Sequence, residues 1–113
     1  MAEQISYEQF TTLDIRAGTI LQVEEFPEAH RPAYKLVIDF GQEIGEKRSS
    51  AQLTKHYTPE QLIGKQILAV VNFPPKQVGK FMSEVLVLGV SDAVGDIILV
   101  EPDQSAPNGS RLQ

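Results

Sequence analysis

The chain has no cysteine, and it is poor in basic residues. The absence of cysteine excludes disulfides and thiolate metal ligands, and it suits a protein of the reducing cytosol. Ten Lys and Arg residues stand against fifteen Asp and Glu residues, which gives a net charge of −5. This balance disfavours a general nucleic-acid binder, because clustered bases drive phosphate binding.

Long apolar runs are also missing. The longest, residues 85–90, is far shorter than the ~20 residues that a membrane-spanning helix needs. The first four residues lack the basic and apolar regions of a secretory signal. We therefore expect a cytoplasmic protein that is not inserted in a membrane. A length of 113 residues predicts one domain over residues 1–113.

Two segments carry helix-start signals. Ser6 followed by Gln9 has the spacing of a capping box, which predicts a short helix over residues 6–10. In the second segment Thr58 is the N-cap, Pro59 takes the first helical position and Gln61 completes the box. This pattern predicts a helix of one to two turns that ends at Gly64.

Alternating apolar residues predict the strands. From Asp14 onward the pattern places Ile15, Ala17, Leu21 and Val23 on the inner face, and Gly18 indicates a bend or bulge. Five further strands are predicted near residues 35–40, 46–51, 67–71, 85–90 and 97–101. The short helix at residues 59–63 falls between the third and fourth strands. This order predicts an all-β fold with short helices, a five-stranded barrel of the OB type, with a sandwich as the alternative.

Apolar surface beyond the needs of a small barrel indicates association. Residues 67–71 and 85–90 are apolar on both faces, and Phe10, Leu13 and Leu112 lie outside the predicted barrel. We therefore expect a homodimer with the N-terminal helix and the C-terminal tail at its interface.

No residue pattern indicates catalysis. His30 and His56 lie far apart and lack a second ligand at metal spacing, so each is interpreted as a surface histidine. Ser49 and Ser50 lack a nucleophile-elbow setting, and no Gly-Lys pair has the surroundings of a phosphate loop. We expect no enzyme activity, no metal and no cofactor.

A rim loop carries the binding signal instead. Asn72, Phe73, two prolines and Lys76 follow an apolar strand, and residues 81–83 (Phe, Met, Ser) precede the next one. Such a loop can hold an extended peptide or a single-stranded nucleotide. The alternative is that Phe73, Phe81 and Met82 only close the end of the barrel.

Several of these segments resemble a known family. Residues 13–20 (LDIRAGTI), 57–65 (YTPEQLIGK) and 72–76 (NFPPK), with Ser83, resemble the tRNA-binding OB-domain family. That family includes free-standing tRNA-binding proteins and the C-terminal extension of methionyl-tRNA synthetases. Residues 35–41, 49–52 and 81–89 resemble, within it, the CsaA-type bacterial export chaperones. The resemblance implies an OB-fold homodimer with ATP-independent chaperone activity toward unfolded or precursor polypeptides, and partners in the export machinery.

The sequence departs from the tRNA-binding members at two places. They usually carry Ser-Gly-Leu where this chain has residues 51–53 (AQL), and Ser-Gln-Gly-Met where it has residues 83–86 (SEVL). The carboxylate of Glu84 would repel a phosphate backbone, so these departures favour a peptide over RNA.

The candidate site residues fall into three groups. Apolar contact is assigned to Phe73, Phe81 and Met82. Hydrogen bonding to a peptide backbone is assigned to Gln52, Asn72 and Ser83. Attraction of acidic chains is assigned to Lys47, Arg48 and Lys76; in the alternative, tRNA binding, these three and Lys80 would contact phosphates.

Overall fold

The computed structural model describes residues 2–113 and contains three short helices and nine strands within them. The helices are α1 (Tyr7–Thr11), α2 (Gly41–Ile44) and α3 (Pro59–Leu62). The strands are β1 (Ile15–Glu25), β2 (Tyr34–Asp39), β3 (Glu46–Ala51), β4 (Gln66–Val70), β5 (Lys76–Val78), β6 (Phe81–Ser83), β7 (Leu86–Val87), β8 (Gly89–Ser91) and β9 (Ile97–Leu99).

Five strands form one antiparallel sheet in the order β3-β2-β1-β4-β7. The sheet curves into a nearly closed barrel, and two hairpins, β5–β6 and β8–β9, are added to it. The all-β prediction with an OB-type barrel is therefore confirmed. The predicted strand over residues 85–90 is two strands, β7 and β8, with Leu88 between them.

Both predicted capping boxes are present. The Ser6 hydroxyl accepts a hydrogen bond from the backbone of Gln9, whose side chain accepts one from the Ser6 backbone. Thr58 and Gln61 make the same reciprocal pair at α3. The connection between the antiparallel strands β2 and β3 contains α2.

The inward direction predicted for Leu21 is wrong. Ile20 pairs with Ile38 and Gln22 pairs with Val37, so Leu21 is an extra residue in β1. The burial pattern has already changed phase before this bulge, because Ala17 and Gly18 are both buried, and this leaves Ile20 fully buried and Leu21 40% exposed. The change of phase falls at Gly18, the position that the sequence indicated for a bend or bulge, and the irregularity in strand pairing lies three residues further on.

Gly18 lies under the core aromatic ring of Phe40. A Cβ atom at Gly18 would come within 2.7 Å of Phe40 and of Ile38, both fully buried. The glycine is therefore required by close packing. The rest of the core lies in the barrel interior and includes Leu36, Ile67 and Leu62.

Arg16 fixes the chain termini to the barrel. Its guanidinium donates to Asp14 at 2.6 Å, to Glu43 at 3.0 Å and to the carbonyl of Gly109 at 2.9 Å. The C-terminal tail runs beside the first half of β1, where Ala17 N–H donates to Ser110 O. The Asp-x-Arg-x-Gly pattern of residues 14–18 thus stabilises the fold.

Apolar side chains remain exposed on the terminal segments. Ile5 is 65% exposed and Tyr7 is 72% exposed, and Leu13 and Leu112 lie at the surface as well. Within residues 2–113 no helix has the length and apolar character needed to cross a bilayer.

Candidate ligand-binding cavity

An open cavity of about 880 Å³ lies between the end of β3, the β5–β6 hairpin and β7. Most of its lining is apolar. The apolar lining residues are Ala29, Ala33, Ala51, Leu53, Phe73, Pro74, Val78, Val85, Leu86, Val87 and Ile97. The polar ones are His30, Arg31, Ser50, Gln52, Lys76, Gln77, Ser83 and Glu84. Its volume falls in the range of roughly 300–1,000 Å³ that is typical of ligand sites.

The β5–β6 hairpin forms one wall. Its two-residue loop is Gly79-Lys80, and Gly79 has φ of +61° while Lys80 keeps a negative φ. Positive φ at the first loop position alone is typical of a type II′ turn, which suits the twist of a hairpin. The hairpin places Lys76 and Ser83 opposite each other beside the cavity.

Side-chain hydrogen bonds and one backbone bond, rather than a continuous strand ladder, join this wall to the edge of β3. The Glu84 carboxylate accepts from Arg48 N–H at 2.9 Å, and the Ser83 hydroxyl accepts from Ser50 N–H at 3.0 Å. Glu84 N–H donates to the Arg48 carbonyl at 2.8 Å. The buried Ser49 hydroxyl donates to the carbonyl of Val85 at 3.0 Å. These bonds join residues 83–85 to β3 and so close the barrel at one end of the space between β3 and β7.

The structure brings four of the ten predicted site residues to the cavity wall, namely Gln52, Phe73, Lys76 and Ser83. Phe73 is 47% exposed, so its ring is available to a ligand. The cavity lies beside Phe73 and Pro74, at the proline corner that the sequence singled out.

Asn72 lies outside the cavity lining and is bonded to the N-terminal segment. Its side-chain oxygen accepts from Asp14 N–H at 3.0 Å, and its amide nitrogen donates to Thr12 O at 2.8 Å. Lys80 and Met82 also lie outside the lining, at the hairpin loop and on β6.

Lys47 and Arg48 point to opposite faces of β3, because they are successive residues of a strand. Lys47 lies on the face of the buried Ser49, and Arg48 lies on the exposed face. The four bases assigned to phosphate binding, Lys47, Arg48, Lys76 and Lys80, therefore do not form a single patch.

Phe81 is half-buried in a cluster of aromatic and cationic groups. Its ring lies edge-on to Phe26, with centroids 5.5 Å apart. The Lys35 ammonium lies 5.6 Å from the Phe81 centroid, and the Arg48 guanidinium lies 5.3 Å from it. Phe81 and Arg48 line a separate, smaller cavity of about 220 Å³. Phe81 and Arg48 are thus already engaged in a cation–π contact with each other.

The charge that remains in the main cavity is positive. Glu84 also contacts the Arg48 guanidinium, at 3.7 Å, so its carboxylate is already paired. Within residues 2–113 no carboxylate lies within salt-bridge distance, 4.0 Å, of Lys76 or Arg31. An anionic group in a ligand therefore finds two cations beside an apolar surface.

Sequence reasoning missed part of the wall. The missed lining residues lie far apart in the sequence: residues 29–31 are in the loop between β1 and β2, Leu53 follows β3, and Ile97 begins β9. Only the closed barrel brings them together. The Gly79-Lys80 pair between two β-prone triplets was the available signal for the hairpin.

A second polar cluster lies away from this cavity. His56 Nε2 is 2.8 Å from Asp92 Oδ2, and Asp96 lies close by. Asp92 Oδ1 accepts from the backbone of Val94 and Asp96, each at 2.9 Å. The hydrogen bond to His56, followed by these two backbone bonds, lowers the pKa of Asp92. The three residues thus stabilise a turn.

An OB-type barrel whose rim hairpin walls an open apolar cavity defines a class of small binding modules. A family model described as "Putative tRNA binding domain" matches residues 15–111. The chain belongs to this tRNA-binding domain family.

Its curated relatives include methionine–tRNA ligases. The chain is 35% identical over 113 residues to the ligase of Porphyromonas gingivalis, covering 100% of this chain and 16% of the ligase. It is 36% identical over 110 residues to that of Methanothrix thermoacetophila, covering 96% of this chain and 16% of the ligase. The chain thus spans 16% of the length of these ligases.

Solved structures of chaperone CsaA are similar over the whole chain. The protein of Bacillus anthracis str. Ames is 55% identical with a TM-score of 0.92, and the match covers 98% of this chain and 100% of that one. The protein of Picrophilus torridus is 51% identical with a TM-score of 0.91, covering 97% and 100%. The predicted resemblance to the CsaA type is confirmed.

Proposed function

We propose that the protein is an ATP-independent chaperone that binds unfolded or precursor polypeptides in the main cavity. It acts without catalysis, as a single domain over residues 1–113, in the cytoplasm and in connection with protein export. The full-length similarity to solved CsaA chaperones, at 51–55% identity, supports this class of function.

One observation of the cavity carries the proposal. Its lining is mainly apolar, and Lys76 alone of the four bases assigned to phosphates lies in it. Arg48 is paired with Glu84 and stacked on Phe81. This distribution suits partly apolar polypeptides with acidic residues better than a phosphate backbone, which needs several free cations.

Association of two copies belongs to the proposal. Ile5, Tyr7, Leu13 and Leu112 are exposed apolar residues on the two terminal segments. A symmetric dimer would cover this surface and leave one cavity on each protomer.

Suppression of aggregation tests the chaperone function. Light scattering of a denatured client protein is expected to fall when the dimer is added in stoichiometric excess without nucleotide. Phe73→Ser removes exposed apolar surface from the cavity and should weaken suppression severalfold. Leu21→Ser, at an exposed leucine outside the cavity, is the matched control. Full aggregation in the presence of the unmodified protein contradicts the proposal.

Binding of tRNA is the second candidate function, and the family model and the ligase relatives favour it. It would use Lys47, Arg48, Lys76 and Lys80 against phosphates. Filter binding at two ionic strengths distinguishes it, because phosphate contacts make affinity fall steeply with salt. Tight and salt-steep binding of tRNA, without suppression of aggregation, supports this candidate over the chaperone.

A further inference from the structure

We propose that a polypeptide binds in the main cavity as an added β-strand, with its main chain paired to the open edges of β7 and β3. Its acidic side chains then face Arg31 and Lys76. The inference rests on the proposed chaperone function and adds how the bound chain is held and which chains are preferred.

The first open edge belongs to β7. In an antiparallel strand, the backbone N–H and C=O groups of successive residues point alternately toward one neighbouring strand and toward the other. Leu88 N–H donates to Leu68 O across the β4–β7 pair, and Val87 lies opposite Ala69. Val87 N–H and C=O therefore point away from β4, and nothing in residues 2–113 pairs with them from that side. Val87 lines the cavity.

The second open edge is the end of β3. The Arg48 and Ser50 N–H groups face away from β2 and are held by the side chains of Glu84 and Ser83. Beyond them, the Ser50 carbonyl accepts only one long hydrogen bond, from the Ser49 hydroxyl at 3.4 Å. Gln52 N–H and C=O have no hydrogen-bond partner among residues 2–113. Ser50 and Gln52 also line the cavity.

Unpaired strand edges beside an apolar cavity fit one kind of ligand. An extended polypeptide presents a row of N–H and C=O groups that pairs with such edges, and its side chains then enter the cavity. Main-chain pairing requires no particular sequence, which suits binding of many unfolded clients. An RNA strand has no such row of amides.

Charge complementarity selects among polypeptides. Arg31 and Lys76 line the cavity and have no carboxylate within 4.0 Å in the described part of the chain. The Glu84 carboxylate is held by Arg48 and so competes weakly for a ligand's cations. A strand with alternating apolar and acidic residues places one set against the apolar wall and the other toward the two bases.

The test uses a short fluorescein-labelled peptide of alternating valine and glutamate, whose binding is followed by anisotropy. Each peptide amide is N-methylated in turn, which removes one hydrogen-bond donor and keeps the side chains. Binding should weaken about 2- to 10-fold at each of the consecutive central amides, which pair alternately with β7 and with β3, and little at the amides of the two peptide ends, which lie beyond both edges.

Protein variants test the charge part. Lys76→Glu should weaken binding of the valine–glutamate peptide and strengthen binding of a valine–lysine peptide. Lys80→Glu makes the same change at the hairpin loop, outside the cavity, and should have little effect. Equal effects of the two variants overturn the placement of acidic residues in the cavity.

The outcomes also separate this inference from the proposed function. Peptide binding that N-methylation weakens equally at central and terminal amides, or at no amide, overturns strand pairing and leaves a chaperone that holds side chains only. Absence of peptide binding, together with tRNA binding that Lys76→Glu abolishes, overturns both.

Discussion

Replacing Glu84 by glutamine tests whether this carboxylate disfavours nucleic acid at the cavity. The carboxylate accepts from Arg48 N–H at 2.9 Å and lies 3.7 Å from the Arg48 guanidinium. Glutamine keeps the length and an acceptor oxygen, so the barrel contact is retained. The substitution removes one negative charge and frees the guanidinium for a phosphate. It also restores the amide that tRNA-binding members of the family usually carry here.

The cost to stability should be small. The Arg48 and Glu84 side chains are 53% and 30% exposed, and solvent-exposed ion pairs contribute only about 0.2–1 kcal/mol. We expect Glu84→Gln to lower the free energy of unfolding by about 1 kcal/mol, measured by urea denaturation. A loss above about 3 kcal/mol would mean that the charge itself closes the barrel.

The gain in tRNA binding has a salt signature. One additional phosphate contact steepens the slope of log affinity against log salt by about 0.7–0.9. The affinity of the variant relative to the unmodified protein should therefore fall about threefold between roughly 50 and 200 mM salt. Filter binding of tRNA at several salt concentrations measures this ratio.

A matched variant separates local from overall charge. Glu101 pairs with Lys65 at 2.8 Å and does not line the cavity. Glu101→Gln changes the net charge equally and should leave the salt slope unchanged. Equal gains from both variants would refute the reasoning, because the effect would then follow from net charge alone. An unchanged slope for Glu84→Gln would show that Arg48 contacts no phosphate.

Two further predictions concern the fold. Gly18→Ala should lower the free energy of unfolding by about 1–3 kcal/mol, because the new Cβ would lie 2.7 Å from the Phe40 ring in a packed core; an unchanged urea midpoint contradicts this. Asp92→Asn should destabilise the protein near neutral pH, and the difference should vanish in acid. The pKa of Asp92 is lowered by His56 and backbone bonds, so its stabilisation is complete above the unfolded pKa of about 3.9 and is lost as pH falls through the folded value. A gap that stays constant from neutral to strongly acidic pH in urea unfolding would contradict the assignment.

Elements with local causes could be predicted from the sequence. Helices α1 and α3 begin at capping boxes, which need only residues three apart, and both are present. The strands with clean alternation, such as β2, were found in nearly their final bounds. The predicted OB barrel follows from these elements and their order.

Features set by cross-strand partners could not be predicted in this way. Leu21 faces outward because the core-facing side of β1 changes at Gly18, which packs directly against Ile38 and Phe40, and the apolar pattern of one strand does not show this contact. Asn72 stands at a rim position, yet its amide bonds to residues 60 and 58 positions earlier, at Thr12 and Asp14. Local position therefore indicated a surface amide, and only the closed barrel shows where it bonds.

The same distinction explains why the family's most recognisable motif says little about the ligand. Asp14, Arg16 and Gly18 are all used inside the chain, in ion pairs and in packing under Phe40. In this chain they therefore stabilise the barrel and contribute nothing to the cavity wall. Residues 51–53 and 83–86, in contrast, line the cavity and contribute to barrel closure through side chains. A change there alters the cavity surface while the fold is retained. Differences of function within the family should therefore concentrate in these two segments, which are also where this sequence departs from the tRNA-binding pattern.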